Sequence, residues 1–448
     1  MDNLFASAER ALRFATSKVY QAEIFAQKII SQRLLFAKNA IKTVSNIDDS
    51  GIAVRVYDNA GRYGFSYTSS LNEMDEIERI VNAAISSMKL GSPDPDFESL
   101  PDPKPLPNVQ ELYDDHIANS SAEEVIDLGQ QIIDAGLCNA SSVVLDGTVS
   151  MTREQRVLMN SLGSECSSDS TIGMLSASAI AKNTEGEVAT NSDLSSSRQL
   201  KNLRPQWLGE TVAKRACDML GGKKVETMSV PVILFQNAIY PLFFSIVGVA
   251  ANADAVQQKR TYLVDKKGKP IASEHLTVID DGLVAAGFRS LPFDGEGSPK
   301  TRQTIIEKGV LRTYLYDTYT AKKDSTKSTG NCMRLGYNAL PQISCNNLRI
   351  TPGKHSLDTL ISETKKGVFI LALHDSPEPV SGRLSGLLSE AFLVENGEIK
   401  HPIKNAMIGI HVFDLLNGIS DISQDYREEA GVLIPSIKIK NARIAGAN

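Results

Sequence analysis

The segment Gly91-Ser92-Pro93-Asp94-Pro95-Asp96-Phe97-Glu98-Ser99-Leu100-Pro101-Asp102-Pro103-Lys104-Pro105-Leu106-Pro107 carries six of the chain's 18 prolines. Proline has no backbone N–H and a fixed φ, so such a stretch is extended and lies outside any sheet interior. It separates two regions that read alike. Upstream, residues 8–14 are helical in pattern, and residues 20–30 and 33–44 read as strands. Residues 51–57 alternate, with Ile52, Val54 and Val56 on one face; Asp58-Asn59-Ala60-Gly61 is a turn, and Tyr63, Phe65 and Tyr67 alternate after it. Ser70-x-x-Glu73 has the form of a capping box, opening a helix whose apolar stripe is Met74, Ile77, Val81, Ala84, Ile85 and Met88. Downstream, Ser121-x-x-Glu124 caps a helix with Val125, Leu128, Ile132 and Ile133 on its inner side. Strands follow at 143–151, 156–161, 171–182 and 187–192, with a turn at Thr184-Glu185-Gly186, and a helix runs over 205–220. Each region therefore reads helix, four strands, helix, which predicts two similar units.

Gly221-Gly222-Lys223-Lys224 marks a second boundary. Beyond it come a short strand at 230–235, the uncharged run 238–251, and many strands with turns at Lys267-Gly268, Asp281-Gly282, Glu307-Lys308-Gly309, Glu395-Asn396-Gly397 and Asn417-Gly418. In the last strand Ile437 and Ile439 share one face, Lys438 and Lys440 the other. The predicted class is α+β: two N-terminal units of helix and antiparallel sheet, then a strand-rich, barrel-like C-terminal domain with a buried helix. The expected divisions are 1–90, a proline-rich linker at 91–110, 111–224 and 225–448.

Composition narrows the function. The 448 residues are 42% apolar and 22% charged, with a net charge of −6; this is ordinary for a globular protein. The acidic pI of about 5.7 argues against a direct grip on nucleic acid. Cys138, Cys166, Cys217, Cys332 and Cys345 include no Cys-x-x-Cys and are odd in number, as expected of reduced thiols in a cytoplasm. The first residues, Met1-Asp2-Asn3-Leu4-Phe5, lack the basic and apolar regions of a signal peptide. The 238–251 run contains Pro241, Ser245 and Gly248 and is too short for a membrane span of about 20 residues, so a buried helix is expected.

No complete catalytic constellation emerges. His116, His275, His355, His374, His401 and His411 lie too far apart in sequence for a helical zinc pair. His374 follows an apolar strand, where functional loops occur, but reads as a surface residue. Ser381-Gly382-Arg383-Leu384-Ser385-Gly386 does not match a nucleophile elbow and reads as a loop. Asp294 and Glu296, in Asp294-Gly295-Glu296-Gly297, could approach a cation but are expected to be solvated acids on a turn. Cys332 and Cys345 lack a neighbouring histidine.

A resemblance adds what the motifs do not. Val230-Pro231-Val232-Ile233-Leu234-Phe235, Ser290-Leu291-Pro292-Phe293-Asp294-Gly295-Glu296-Gly297, Ser328-Thr329-Gly330-Asn331, the stretches 306–315 and 390–399, and His401-Pro402-Ile403-Lys404-Asn405-Ala406 resemble the TldD/PmbA family, and more closely its PmbA (TldE) branch; residues 51–69 resemble the family's first-domain hairpin. The resemblance implies a link to intracellular proteolysis. TldD-type subunits carry His-Glu-x-x-x-His on the helix after the Pro231-like strand; two histidines and a distant cysteine hold zinc, and the glutamate is general base. Here those positions are Phe244, Ser245 and Val249, and 427–435 has no cysteine. No cofactor is therefore expected in this chain. The resemblance implies a catalytically silent subunit that pairs with a zinc-bearing TldD-like paralogue in a cytoplasmic peptidase for unfolded or small polypeptides held as extended strands. Any effect on DNA gyrase, the family's other label, would act indirectly. The alternative is a homodimeric module that captures extended peptides by strand addition, and a weaker one is an unrelated hydrolase using His374 or Ser385.

Overall fold

The computed structural model describes the whole chain except Asn72, Ser141, His374, Ala430, Ala447 and Asn448, together with the side chains of Met74 and Asn139. The first region is α1 (Asp2–Thr16), β1 (Gln21–Ala37), β2 (Ala40–Tyr57), β3 (Tyr63–Thr68) and α2 (Met74–Leu90); the second is α3 (Asp115–Ala118), α4 (Ala122–Asn139), β4 (Val144–Asn160), β5 (Glu165–Lys182), β6 (Val188–Ser197) and α5 (Pro205–Asp218). Each region thus has three strands, not the four expected from the sequence. The expected strand at 33–44 contains the tip of a hairpin: Lys38 and Asn39 both have positive φ (52° and 61°), the geometry a two-residue turn requires. Asn39 makes that turn stable by bonding outward. Its Oδ1 accepts from Leu145 N at 2.6 Å and its Nδ2 donates to the Val143 carbonyl at 3.0 Å. Likewise 143–151 and 156–161 are one strand. Its polar middle, Thr152-Arg153-Glu154-Gln155, reads as a break but pairs without interruption with Lys28–Ser31 of β1.

All six strands join one antiparallel sheet in the order β3-β2-β1-β4-β5-β6. The two regions are therefore related about the β1/β4 seam, each laid outward from it in the same order. Alternation sends Ile24, Ile52, Val54 and Val157 against α1 and α2, and Leu34, Leu145, Val149 and Leu175 against α4 and α5. The four main helices thus cover one face of the sheet. The proline-rich segment is extended and straps the sheet's end: Phe97 stacks on Tyr57 with ring centroids 3.9 Å apart, Gln21 Oε1 accepts from Leu100 N, and Asp94 accepts from the Tyr319 hydroxyl of the third region.

In the third region, β7 (Met228–Leu234) closes a five-stranded ring with Lys366–Leu373, Arg383–Glu395, Ala406–His411 and Val432–Gly446. The chain leaves β7 into α6 (Gln236–Phe243). Ile239, Leu242, Phe243 and Val247 pack with Val232, Ile370 and Ile437 in the main core of the barrel. No helix among the described residues is long and apolar enough to cross a membrane. On the sheet face opposite the helices, Phe25, Leu158 and Cys166 pack against Phe293 of the third region.

Candidate functional site

The helix after β7 changes pitch where the resemblance places the lost zinc motif. Pro241 lies inside α6, where it offers no N–H to the helix. Phe244–Val249 then forms a π turn, closed in part by Ala250 N donating to the Ser245 carbonyl at 3.2 Å. Single π turns inside helices concentrate at functional sites. In an α-helix, side chains five apart point roughly 140° away from each other; the wider turn brings i and i+5 toward one side. Phe244 and Val249 are such a pair, so the backbone keeps a frame suited to aiming two ligands. The side chains are a phenyl and an isopropyl group, and Ser245 is an uncharged hydroxyl. None can serve a zinc ion, and among the described residues no three His, Cys, Asp or Glu side chains converge with metal-holding geometry.

Other contacts fill the frame's surroundings. Arg289 lies 5.1 Å over the Phe244 ring and donates through Nη1 to Ser344 Oγ (3.1 Å) and the Cys345 carbonyl (2.9 Å). A Cβ on Gly248 would lie 2.7 Å from the Cys345 sulfur, so only glycine lets the helix approach so closely. Burial pushes the Cys345 thiol well up, away from thiolate chemistry. The 427–435 segment supplies Arg427, which donates to Asp193 Oδ1 (2.7 Å), Asn237 Oδ1 (3.1 Å) and the Leu194 carbonyl (2.6 Å). It ties α6 to β6 rather than facing a metal.

The remaining sequence candidates stay apart. His374 is outside the described residues. Ser385 is exposed, opposite Gly409 in the barrel, with no described histidine bonded to it; His411 Nε2 instead meets the Ser381 carbonyl at 2.8 Å. The expectation of solvated acids at Asp294 and Glu296 is corrected: both are only 4% exposed. Asp294 accepts from the backbone N–H groups of Glu296, Ser298 and Cys332, and Glu296 accepts from Thr318 N and Oγ1. Burial, and for Glu296 also the neighbouring Asp294, raises both carboxyls above their usual range.

Two glutamates escaped the sequence reading. Glu23 on β1 is held by Arg55 Nη2 at 2.7 Å and by Arg334 of the third region. Glu390 lies on the outward face of its barrel strand. The alternation that sends Val368 and Ile370 into the core turns Phe369 and Leu371 outward, where α5 faces them across a cleft of about 590 Å³. Phe369, Leu371, Phe392 and Ile399 line it, with Lys214, Asp218 and Lys400 also at its wall. Glu390 is 6% exposed and accepts one bond, from Asn191 Nδ2 at 2.6 Å. Burial raises its carboxyl to about 7. The available signal was an acid inside an apolar strand run, Ala391-Phe392-Leu393-Val394 following it directly.

The fold joins a helix-covered six-stranded sheet to a five-stranded barrel that encloses a pitch-changed helix. The chain matches the PmbA/TldA metallopeptidase domain 1 over residues 22–87, the central domain over 115–220 and the C-terminal domain over 227–446, and it belongs to that family. It is 27% identical over 441 residues to the metalloprotease PmbA of Escherichia coli O157:H7, covering 97% of this chain and 94% of that protein. The crystal structure of TldE from Thermococcus kodakarensis superposes with a TM-score of 0.89 at 25% identity, covering 98% of this chain and all of that one. A putative modulator of a DNA gyrase from Thermotoga maritima MSB8 shares the fold at TM-score 0.88 and 22% identity, covering 98% of this chain and all of that one.

Proposed function

We propose that this chain is the non-metal subunit of a TldD/TldE-type metallopeptidase acting in the cytoplasm on unfolded or small polypeptides. The observation that carries the reading is the π-turn frame occupied by Phe244, Ser245 and Val249, a ligand-aiming backbone without ligands. A protein that keeps such a frame while lacking every zinc-binding and proton-accepting group cannot supply metal-bound hydroxide itself. The zinc belongs to a TldD-like paralogue, and this subunit completes the assembly around an extended substrate. Any gyrase effect follows indirectly, through turnover of another protein, because the net charge of −6 disfavours DNA contact.

The test is reconstitution. The chain alone, the His-Glu-x-x-x-His paralogue alone and the two together are assayed for zinc content and for hydrolysis of unfolded casein. Hydrolysis is expected from the pair, with zinc only in the paralogue. Chelator-sensitive hydrolysis by the isolated chain would overturn the reading. Stable homodimers that capture peptide and ignore the paralogue would replace it with the binding-module alternative.

A further inference from the structure

We propose that the cleft between α5 and the barrel binds a short peptide with a free N-terminus and an apolar first side chain, its ammonium group against Glu390. This site is separate from the π-turn frame, because the cleft uses the outward face of the sheet whose inward face packs on α6. It does not depend on the subunit reading above.

Three observations converge on that ligand chemistry. First, the cleft contains an incompletely bonded acid. Among the described residues Glu390 receives a single hydrogen bond, and the neighbouring Asn191 Oδ1 is buried without a partner. Buried acceptors without donors are costly, and a ligand that brings several N–H groups on one atom to the cleft-lining Glu390 supplies the donors it lacks. An ammonium does this; a carboxylate, a phosphate or an apolar group does not. Its arrival also favours the ionised form of a carboxyl that burial otherwise holds near neutrality.

Second, the floor is apolar and outward-facing. Phe369, Leu371 and Phe392 line the cleft beside Glu390 and are held there by packing with Ile233, Leu360, Ile361 and Val394 on the barrel's outer side. At about 590 Å³ the cleft falls within the usual range for small-ligand sites. Third, the cations at the wall are unequally engaged. Arg215 is bonded to Asp193 and Lys400 to Glu398, whereas Lys214 has no acidic partner among the described residues. Lys214 is therefore free to meet a terminal carboxylate. A cleft lined by an acid, an unpaired lysine and aromatic side chains is complementary to a zwitterion with an apolar body.

Calorimetric titration of the full chain at about pH 7.5 tests this with three probes: the dipeptide Leu-Leu, N-acetyl-Leu-Leu and Leu-Leu amide. Leu-Leu should bind saturably, the acetylated form at least about tenfold more weakly, and the amide about threefold more weakly. Glu390→Gln, which keeps shape and removes charge, should abolish the preference for a free N-terminus while leaving the affinity for the acetylated probe unchanged. Lys214→Ala should weaken Leu-Leu but not its amide. Equal binding of the free and acetylated dipeptides by the unaltered protein overturns the proposal without recourse to any variant; so does the absence of saturation at millimolar Leu-Leu. Reconstituted hydrolysis with the paralogue is scored separately, so failure here leaves the subunit reading standing.

Discussion

Glu23 and Glu390 are both buried glutamates on sheet strands, at 1% and 6% exposure, and they have opposite chemistry. Burial alone would raise the Glu23 carboxyl, but the guanidinium groups of Arg334 and Arg55 more than offset it and hold the acid below its usual range. Glu390 has one amide donor, and burial raises it to about 7. Burial is nearly the same; the supply of donors differs. At Glu23 the donors come from two regions of the chain, so the acid rivets the first unit to the third. At Glu390 the donor set is incomplete and opens onto a cleft. A buried acid completed by its own protein is a structural joint, whereas one left incomplete beside a cavity marks where a ligand would complete it.

The largest effect should come from breaking the joint. Arg334→Ala leaves Glu23 with Arg55 alone and also removes the Nε bond to the Gly295 carbonyl at 2.8 Å. Removing one member of a buried ion pair costs about 3–5 kcal/mol, which urea unfolding of the full chain would register as a large fall in midpoint. A loss of under about 1 kcal/mol would mean that the joint does not hold the regions together, and the contrast with Glu390 would fail.

Glu390→Gln should behave differently, and with a definite pH sign. The carboxyl is raised from its ordinary 4.5 to about 7 in the folded protein. Folding therefore favours the protonated acid: its contribution is full below about pH 4.5 and is lost as pH rises through 7. Glutamine carries no such loss. The variant should match the parent near pH 5 and exceed it by on the order of 2 kcal/mol near pH 8.5. Taking the difference from the parent cancels Asp280, Asp294 and Glu296, which burial also raises. Glu23 runs the other way: with its carboxyl lowered, its stabilisation is present above its unfolded value and is lost as acid titrates the folded pair. A flat difference curve for Glu390→Gln would remove the asymmetry.

How much of this was legible follows from the distance over which each feature is specified. The capping box at Ser121 is local and real: Ser121 Oγ accepts from Glu124 N at 3.2 Å and Glu124 Oε2 accepts from Ser121 N at 2.7 Å. The same pattern at Ser70 and Glu73 forms no box, because the helix starts three residues later, with Glu73 itself as the cap residue. Strand existence, the α+β class and the barrel were legible from alternation and turns, but strand length was not. The polar middles of β1 and β4 look like ends until each is seen paired with the other. The absent zinc groups were visible by resemblance. The two glutamates were not, since Glu23 finds Arg334 at a separation of 311 residues and Glu390 finds Asn191 at 199.

The smallest effect sharpens the comparison most closely. Asn191→Ala removes the only donor to Glu390 among the described residues and, in the same step, the orphaned Oδ1. Near pH 5 the acid is protonated, so little is lost: the donor bond and the unsatisfied acceptor oppose each other, and a net change of about 1 kcal/mol or less is expected. Near pH 8 the ionised acid is left without any donor, and the variant should fall further below the parent. The hydrogen bond from Asn191 lowers the Glu390 carboxyl, so its loss should move the pH at which stability declines upward, readable in a series of thermal melts. A pH-independent loss as large as that of Arg334→Ala would make Asn191 a second rivet and Glu390 a second joint. A small, pH-dependent loss leaves Glu390 as an acid whose remaining partners the fold does not provide.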